Sequence, residues 1–194
     1  YEKVLEDHGY DGLLISSGAA PMRYDDDQSW HFQGYGPFLH WTGLVGYEHA
    51  WLLIRKGRKP LLSLYQPVDF WHASLELAQE PWLDGFELRF SESSSAPELD
   101  GLSQLAVLGD PSLLAGISGD ENPGALCAAL NETRVHKTAY EIACLAHANK
   151  LAVAGHRAAR DAFLAGASEL EINLAYQRAT QQREADAPYN SIIA

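Results

Sequence analysis

One stretch constrains this chain more than any other. From residue 137 to 164 the apolar positions Ile142, Leu145, Ala152, Ala159 and Phe163 fall on one face at helical spacing, and that face also carries Asn149 and His156. A helix this long needs a partner for its face. Gly166 ends it, and Ser168-Glu169-Leu170-Glu171 follows as a capping-box signature, in which the Ser hydroxyl accepts from a free amide and the Glu reaches back to the cap amide. A second helix is expected to about Arg183, with Ile172, Ala175, Tyr176 and Ala179 facing a partner. Pro188 stops it, and Tyr189 to Ala194 reads as a strand with too few neighbours.

Upstream the rhythm differs. A short helical segment, Tyr1 to His8, ends at Gly9, and it opens in mid-pattern, which predicts residues ahead of Tyr1. Leu13-Leu14-Ile15 reads as a buried strand. Ala50 to Ile54 and Leu61 to Tyr65 flank the charged turn Arg55-Lys56-Gly57-Arg58-Lys59 closely enough to predict a hairpin. A helix is expected at 72–79, an alternating half-buried strand from Phe86 to Phe90, a strand at Leu105 to Leu108, and a helix at Ala125 to Leu130 opened by Pro123. Strands alternating with short helices predict an α/β domain: a mixed sheet with helices against it.

Charge marks the boundary between the two rhythms. Residues 1–133 carry seven Lys and Arg against 20 Asp and Glu, a net of -13; residues 134–194 carry seven against six, a net of +1. Two domains are therefore expected, 1–133 and 134–194. The overall charge of -12 argues against nucleic acid or an anionic membrane as partner, since both reward clustered cations. No apolar run approaches the roughly 20 residues that span a bilayer, and a cytoplasmic protein is expected. Cys127 and Cys144 both fall in helical patterns and read as reduced core residues.

The segment Ser16 to Pro37 is polar, Gly-rich and aromatic, too long for a plain connection. Its Asp25-Asp26-Asp27 reads either as a solvated or capping run or as one carboxylate reaching a ligand or partner subunit, because adjacent side chains cannot all point inward. Trp30, Phe32, Tyr35, Phe38, Trp41, Tyr47 and Trp51 read as core and loop packing, or as an interface or lid. Trp71 is open to the same two readings. His156 reads as a structural, hydrogen-bonded group, and His8, His136 and His147 as surface groups. No H-E-x-x-H, nucleophile elbow or phosphate cradle is present; Gly34-Tyr35-Gly36 alone is a weak signal.

Arg134-Val135-His136-Lys137-Thr138-Ala139-Tyr140-Glu141-Ile142, then Ala148-Asn149-Lys150, then residues 154–163, resemble the entry to the catalytic domain of prolidases. Ser168 to Ile172 and Ala187-Pro188-Tyr189 leading into Ile192-Ile193-Ala194 do so too. Tyr65-Gln66-Pro67-Val68-Asp69-Phe70-Trp71-His72 and the Asp26-Asp27 loop are similar to the bacterial Xaa-Pro dipeptidases that include the organophosphorus acid anhydrolases; Leu39 to Gly43 is a looser match.

The resemblance implies a creatinase/prolidase-type α/β N-terminal domain that builds a homodimer, followed by the first helices and strand of a pita-bread catalytic domain. It implies a metallopeptidase cleaving dipeptides that end in proline, with organophosphate hydrolysis as a possible side activity. Its two divalent ions, usually manganese, are bound by two Asp, one His and two Glu, all expected after Ala194, so this segment alone is expected to be inactive. By the same resemblance Tyr189 lines the substrate pocket, Asp27 reaches across the dimer into the other subunit's pocket, and Trp71 helps close it. The competing reading is a non-catalytic oligomerisation or ligand-binding module that has lost the metal centre.

Overall fold

The structure is a computed structural model that describes residues 1–70, 77, 81–99, 101–183, 186–187 and 191–193. It divides into two compact units, Tyr1–Thr133 and Arg134–Ala194.

The first unit is built on a six-stranded mixed sheet of order β4-β3-β2-β1-β5-β6. Its strands are β1 (Gly12–Ser16), β2 (Trp51–Arg55), β3 (Leu61–Tyr65), β4 (Glu87–Ser91), β5 (Leu105–Leu108) and the two-residue β6 (Asp120–Glu121). β2 runs antiparallel to β1 and β3, which makes β2 and β3 the expected hairpin, while β1/β5, β3/β4 and β5/β6 are parallel. The central strands are buried on both faces, which is why they read as continuous apolar runs.

Period-two alternation sorts those runs into two cores. Leu13, Ile15, Leu52, Ile54, Leu62, Leu64, Ala106 and Leu108 pack with Leu5 of α1 (Glu2–Asp7), Phe38 of α2 (Gly36–Thr42) and Leu126 and Leu130 of α4 (Gly124–Glu132). Leu14, Trp51, Leu53, Leu61, Leu105 and Val107 face the other way, against Leu114 of α3 (Pro111–Leu114) and the loop residues Ala96, Leu99, Leu102 and Ile117. Each fully buried Leu contributes roughly 1.5–3 kcal/mol through burial alone. The fold is thus a mixed sheet with flanking helices, as the sequence predicts.

The strand at Phe86 to Phe90 differs from expectation. It forms as β4, but Glu87 to Phe90 are all exposed, with Leu88 at 39% and Phe90 at 51%, because β4 is an edge strand and alternation there follows the pleat without a covering layer. The helix expected at 72–79 lies outside the described residues.

The second unit is a helix pair. α5 (Ala139–Leu164) and α6 (Glu169–Thr180) each begin with a complete capping box, Thr138 with Glu141 and Ser168 with Glu171. α6 ends earlier than expected, at Gln181 in the left-handed region (φ 56°). α5 meets α6 along one face. That face centres on Gly155, which is buried and placed so closely that a Cβ there would lie 2.6 Å from both Tyr176 and Thr180. Small residues permit close approach of two helices. Ile142, Leu145 and Phe163 stay 57%, 50% and 66% exposed. His156 is exposed and meets the Tyr176 ring edge to face at 5.3 Å, and Cys144 is on the surface rather than in a core. The strand expected from Tyr189 does not form over residues 191–193, where the second unit offers no strand to pair with among the described residues; 188–190 and 194 lie outside them.

Candidate functional site

The long aromatic and acidic segment after β1 is a strapped, protruding hairpin. Its base is tied to the body by buried Ser17: the Ser17 amide donates to the Ala50 carbonyl (2.8 Å), and its Oγ accepts from the Ala50 amide (2.9 Å). Glu48 Oε2 accepts from the Ala20 amide at 2.7 Å, and the His49 amide donates to Gly18 O at 2.8 Å. Beyond this base the chain pairs with itself. The Trp30 amide donates to Pro21 O (2.8 Å), Met22 bridges Ser29 antiparallel, and the Arg23 amide donates to Gln28 O (2.9 Å).

Four residues, Tyr24 to Asp27, make the tip. Asp25 takes a left-handed φ of 53°, a conformation Asp tolerates better than most residues, and Asp26 Oδ1 accepts from the Gln28 amide at 3.1 Å. Two of the three aspartates therefore serve the turn itself, as a shaping residue and a cap. Asp27 has no such local duty: it is exposed, and among the described residues nothing pairs with its carboxylate. Every residue from 21 to 31 is exposed, including Tyr24 at 99%, Met22 at 61% and Trp30 at 60%. The hairpin holds an unpaired carboxylate on a partly apolar arm.

The aromatic cluster does not act as one body. Phe38 and Trp51 are buried on opposite faces of the sheet, Trp41 packs edge to face with Tyr1 (5.1 Å) and Phe86 (6.4 Å), and Trp30 stays on the hairpin. Tyr189 and Trp71 lie outside the described residues.

No three His, Cys, Asp or Glu side chains are placed to hold a metal ion among the described residues. The manganese pair implied by the resemblance therefore has no donor set in them. Burial pushes the Cys127 thiol up, away from thiolate chemistry. No helix among the described residues is long and apolar enough to cross a membrane.

The sequence profile described as "Xaa-Pro dipeptidase, N-terminal domain" matches residues 1–131. The chain belongs to the Xaa-Pro dipeptidase family. It is 65% identical over 193 residues to the Xaa-Pro dipeptidase of Marinobacter nauticus, covering 100% of this chain and 45% of that protein. It is 42% identical over 197 residues to that of Aeromonas hydrophila, covering 98% and 44%. The chain thus spans a little under half the length of the curated relatives it matches. Among solved structures, a candidate aminopeptidase P from Bacillus anthracis aligns with a TM-score of 0.57 and 16% identity over 92% of this chain and 49% of that one, a likeness of fold.

The hairpin is what reasoning from the sequence alone missed. Its turn residues were visible, but the bridge at Met22 and Ser29 has no alternating apolar pattern to announce it.

Proposed function

We propose that this chain is the N-terminal part of a dinuclear metal-dependent dipeptidase that hydrolyses dipeptides with a C-terminal proline. The observation that carries the reading is the 65% identity to a bacterial Xaa-Pro dipeptidase across essentially every residue of the chain. In this reading residues 1–133 form a cytoplasmic homodimer, and residues 134–194 begin a pita-bread catalytic domain. The donors for the two manganese ions belong to the part of the relatives' length that this chain does not span. The 194-residue segment alone is inactive, and organophosphate ester hydrolysis is a side activity of the whole enzyme.

The chain's own contribution is positioning. Asp27, unpaired at the hairpin tip, enters the partner subunit's substrate pocket and receives the ammonium of the dipeptide, a charge-assisted contact that fixes the register of the short substrate. Tyr189 lines that pocket, and Trp71 helps close it over the substrate. The uncovered apolar surface of Ile142, Leu145, Phe163 and Leu170 is covered by the remainder of the catalytic domain.

Sedimentation of the full-length protein tests the dimer on which Asp27 depends. A dimer is expected; a strict monomer removes any role for Asp27 in a second subunit.

A further inference from the structure

Four of the seven Lys and Arg residues in 1–133 lie in the five-residue turn 55–59, in a region of net charge -13. The turn borders a cleft of about 480 Å³ in the first unit, lined among others by Glu6, Tyr10, Asp11, Arg55, Lys56 and Arg58. That volume is within the usual range for small-molecule sites.

The acidic groups of this cleft are already committed. Glu6 pairs with Lys56 Nζ at 2.8 Å. Asp11 Oδ2 accepts three hydrogen bonds, from Ser103 Oγ (2.6 Å), the Ser103 amide (3.2 Å) and the Gln104 amide (3.2 Å). Tyr10 donates its hydroxyl to Asp120 at 2.9 Å. Asp11 keeps its charge, so three cations against two carboxylates leave the lining at a net +1. Arg58 is exposed and has no side-chain partner among the described residues, and the Nε of half-buried Arg55 is shielded from solvent with no protein acceptor.

We propose that this cleft binds a compact polyanion through the guanidinium groups of Arg55 and Arg58. Guanidinium forks match phosphoryl and carboxylate oxygens in pairs, so the ligand class is a small molecule carrying two or more such groups close together. The remote carboxylates of the unit do not cancel the attraction, because charges beyond a Debye length of about 8 Å are largely screened at physiological ionic strength. Glu6, Lys56 and the uncharged Tyr10 also line the cleft.

The test is calorimetric titration of the 194-residue chain, in chloride buffer, with pyrophosphate and separately with citrate. Saturable one-to-one binding of either supports the site, and the anion that binds identifies phosphoryl or carboxylate chemistry. Arg55→Gln and Arg58→Gln are each expected to weaken binding about tenfold, whereas Arg89→Gln, on β4 two strands from β2, leaves it unchanged. Should Arg55→Gln fail to fold by circular dichroism, Arg58→Gln in the exposed turn decides. No saturable binding of either anion overturns the proposal, as does equal weakening by Arg89→Gln, which would mean diffuse attraction.

Discussion

The guanidinium carbon of Arg23 lies 4.9 Å from the centre of the Trp30 ring, bridging the two legs of the acidic hairpin. A cation over an exposed aromatic face is worth about 0.5–1 kcal/mol. It also lowers the number of arrangements the tip can sample, which is where Asp27 sits.

Loosening this clamp should therefore act on substrate binding rather than folding. Arg23→Ala or Trp30→Ala in the full-length enzyme is expected to raise KM for an Xaa-Pro dipeptide about two- to fivefold, with kcat nearly unchanged, from the loss of roughly 0.5–1 kcal/mol of hairpin order. The melting temperature of the 194-residue chain should barely move, since residues 21–31 bury nothing. Steady-state kinetics alongside a thermal melt separates the two effects; a large fall in melting temperature with KM unchanged contradicts the assignment.

Gly155 gives the clearest packing prediction. A methyl group there would lie 2.6 Å from the Tyr176 ring and from Thr180 Cγ2, and Thr180 is only 4% exposed. Overpacking of this kind costs typically 1–3 kcal/mol. Gly155→Ala, despite the better helix propensity of alanine, is expected to separate α5 from α6, seen as a lower thermal midpoint of the helical signal in circular dichroism. An unchanged or raised midpoint would show that the helix pair tolerates a wider spacing.

Acid should weaken both units through carboxylates held below their usual range. The hydroxyl and then the amide of Ser103, with the Gln104 amide, lower Asp11 from its ordinary 3.8, and the Ser168 cap lowers Glu171 from its ordinary 4.5. A depressed native value means the stabilisation is full above the ordinary value and fades as pH falls through the lowered one. Stability is thus expected to drop below about pH 4, within the range where free carboxylates of these types protonate. Asp11→Asn should flatten the acid limb of the first unit, measured by denaturant unfolding between neutral pH and that range; an unaltered limb would mean that Asp11 does not contribute to it.

What the sequence made legible divides along physical lines. β1, β2, β3 and β5 declared themselves because burial on both faces demands unbroken apolar runs, and the Ser168 box announced α6 because four residues carry the whole signal. The matching Thr138-Glu141 box and Pro37 in the first turn of α2 are also written in the chain, but neither is among the expected features. The apolar face of α5 was legible from its helical spacing, whereas its contact with α6 at Gly155 was not, since a glycine adds nothing to a hydrophobic periodicity. Asp27 could be singled out only by family likeness, since its distinction from Asp25 and Asp26 is that the turn does not use it.

The most direct measurement is hydrolysis of Xaa-Pro and Xaa-Ala dipeptides by the full-length manganese-loaded protein and its Asp27→Ala variant, with bound metal quantified in both. The result expected is cleavage of the Xaa-Pro substrate in preference to Xaa-Ala, and a KM raised about tenfold or more by Asp27→Ala, as loss of a charge-assisted contact implies, with metal content retained. No cleavage of Xaa-Pro dipeptides would contradict the dipeptidase reading. An unchanged KM, or loss of metal in the variant, would contradict the place given to Asp27.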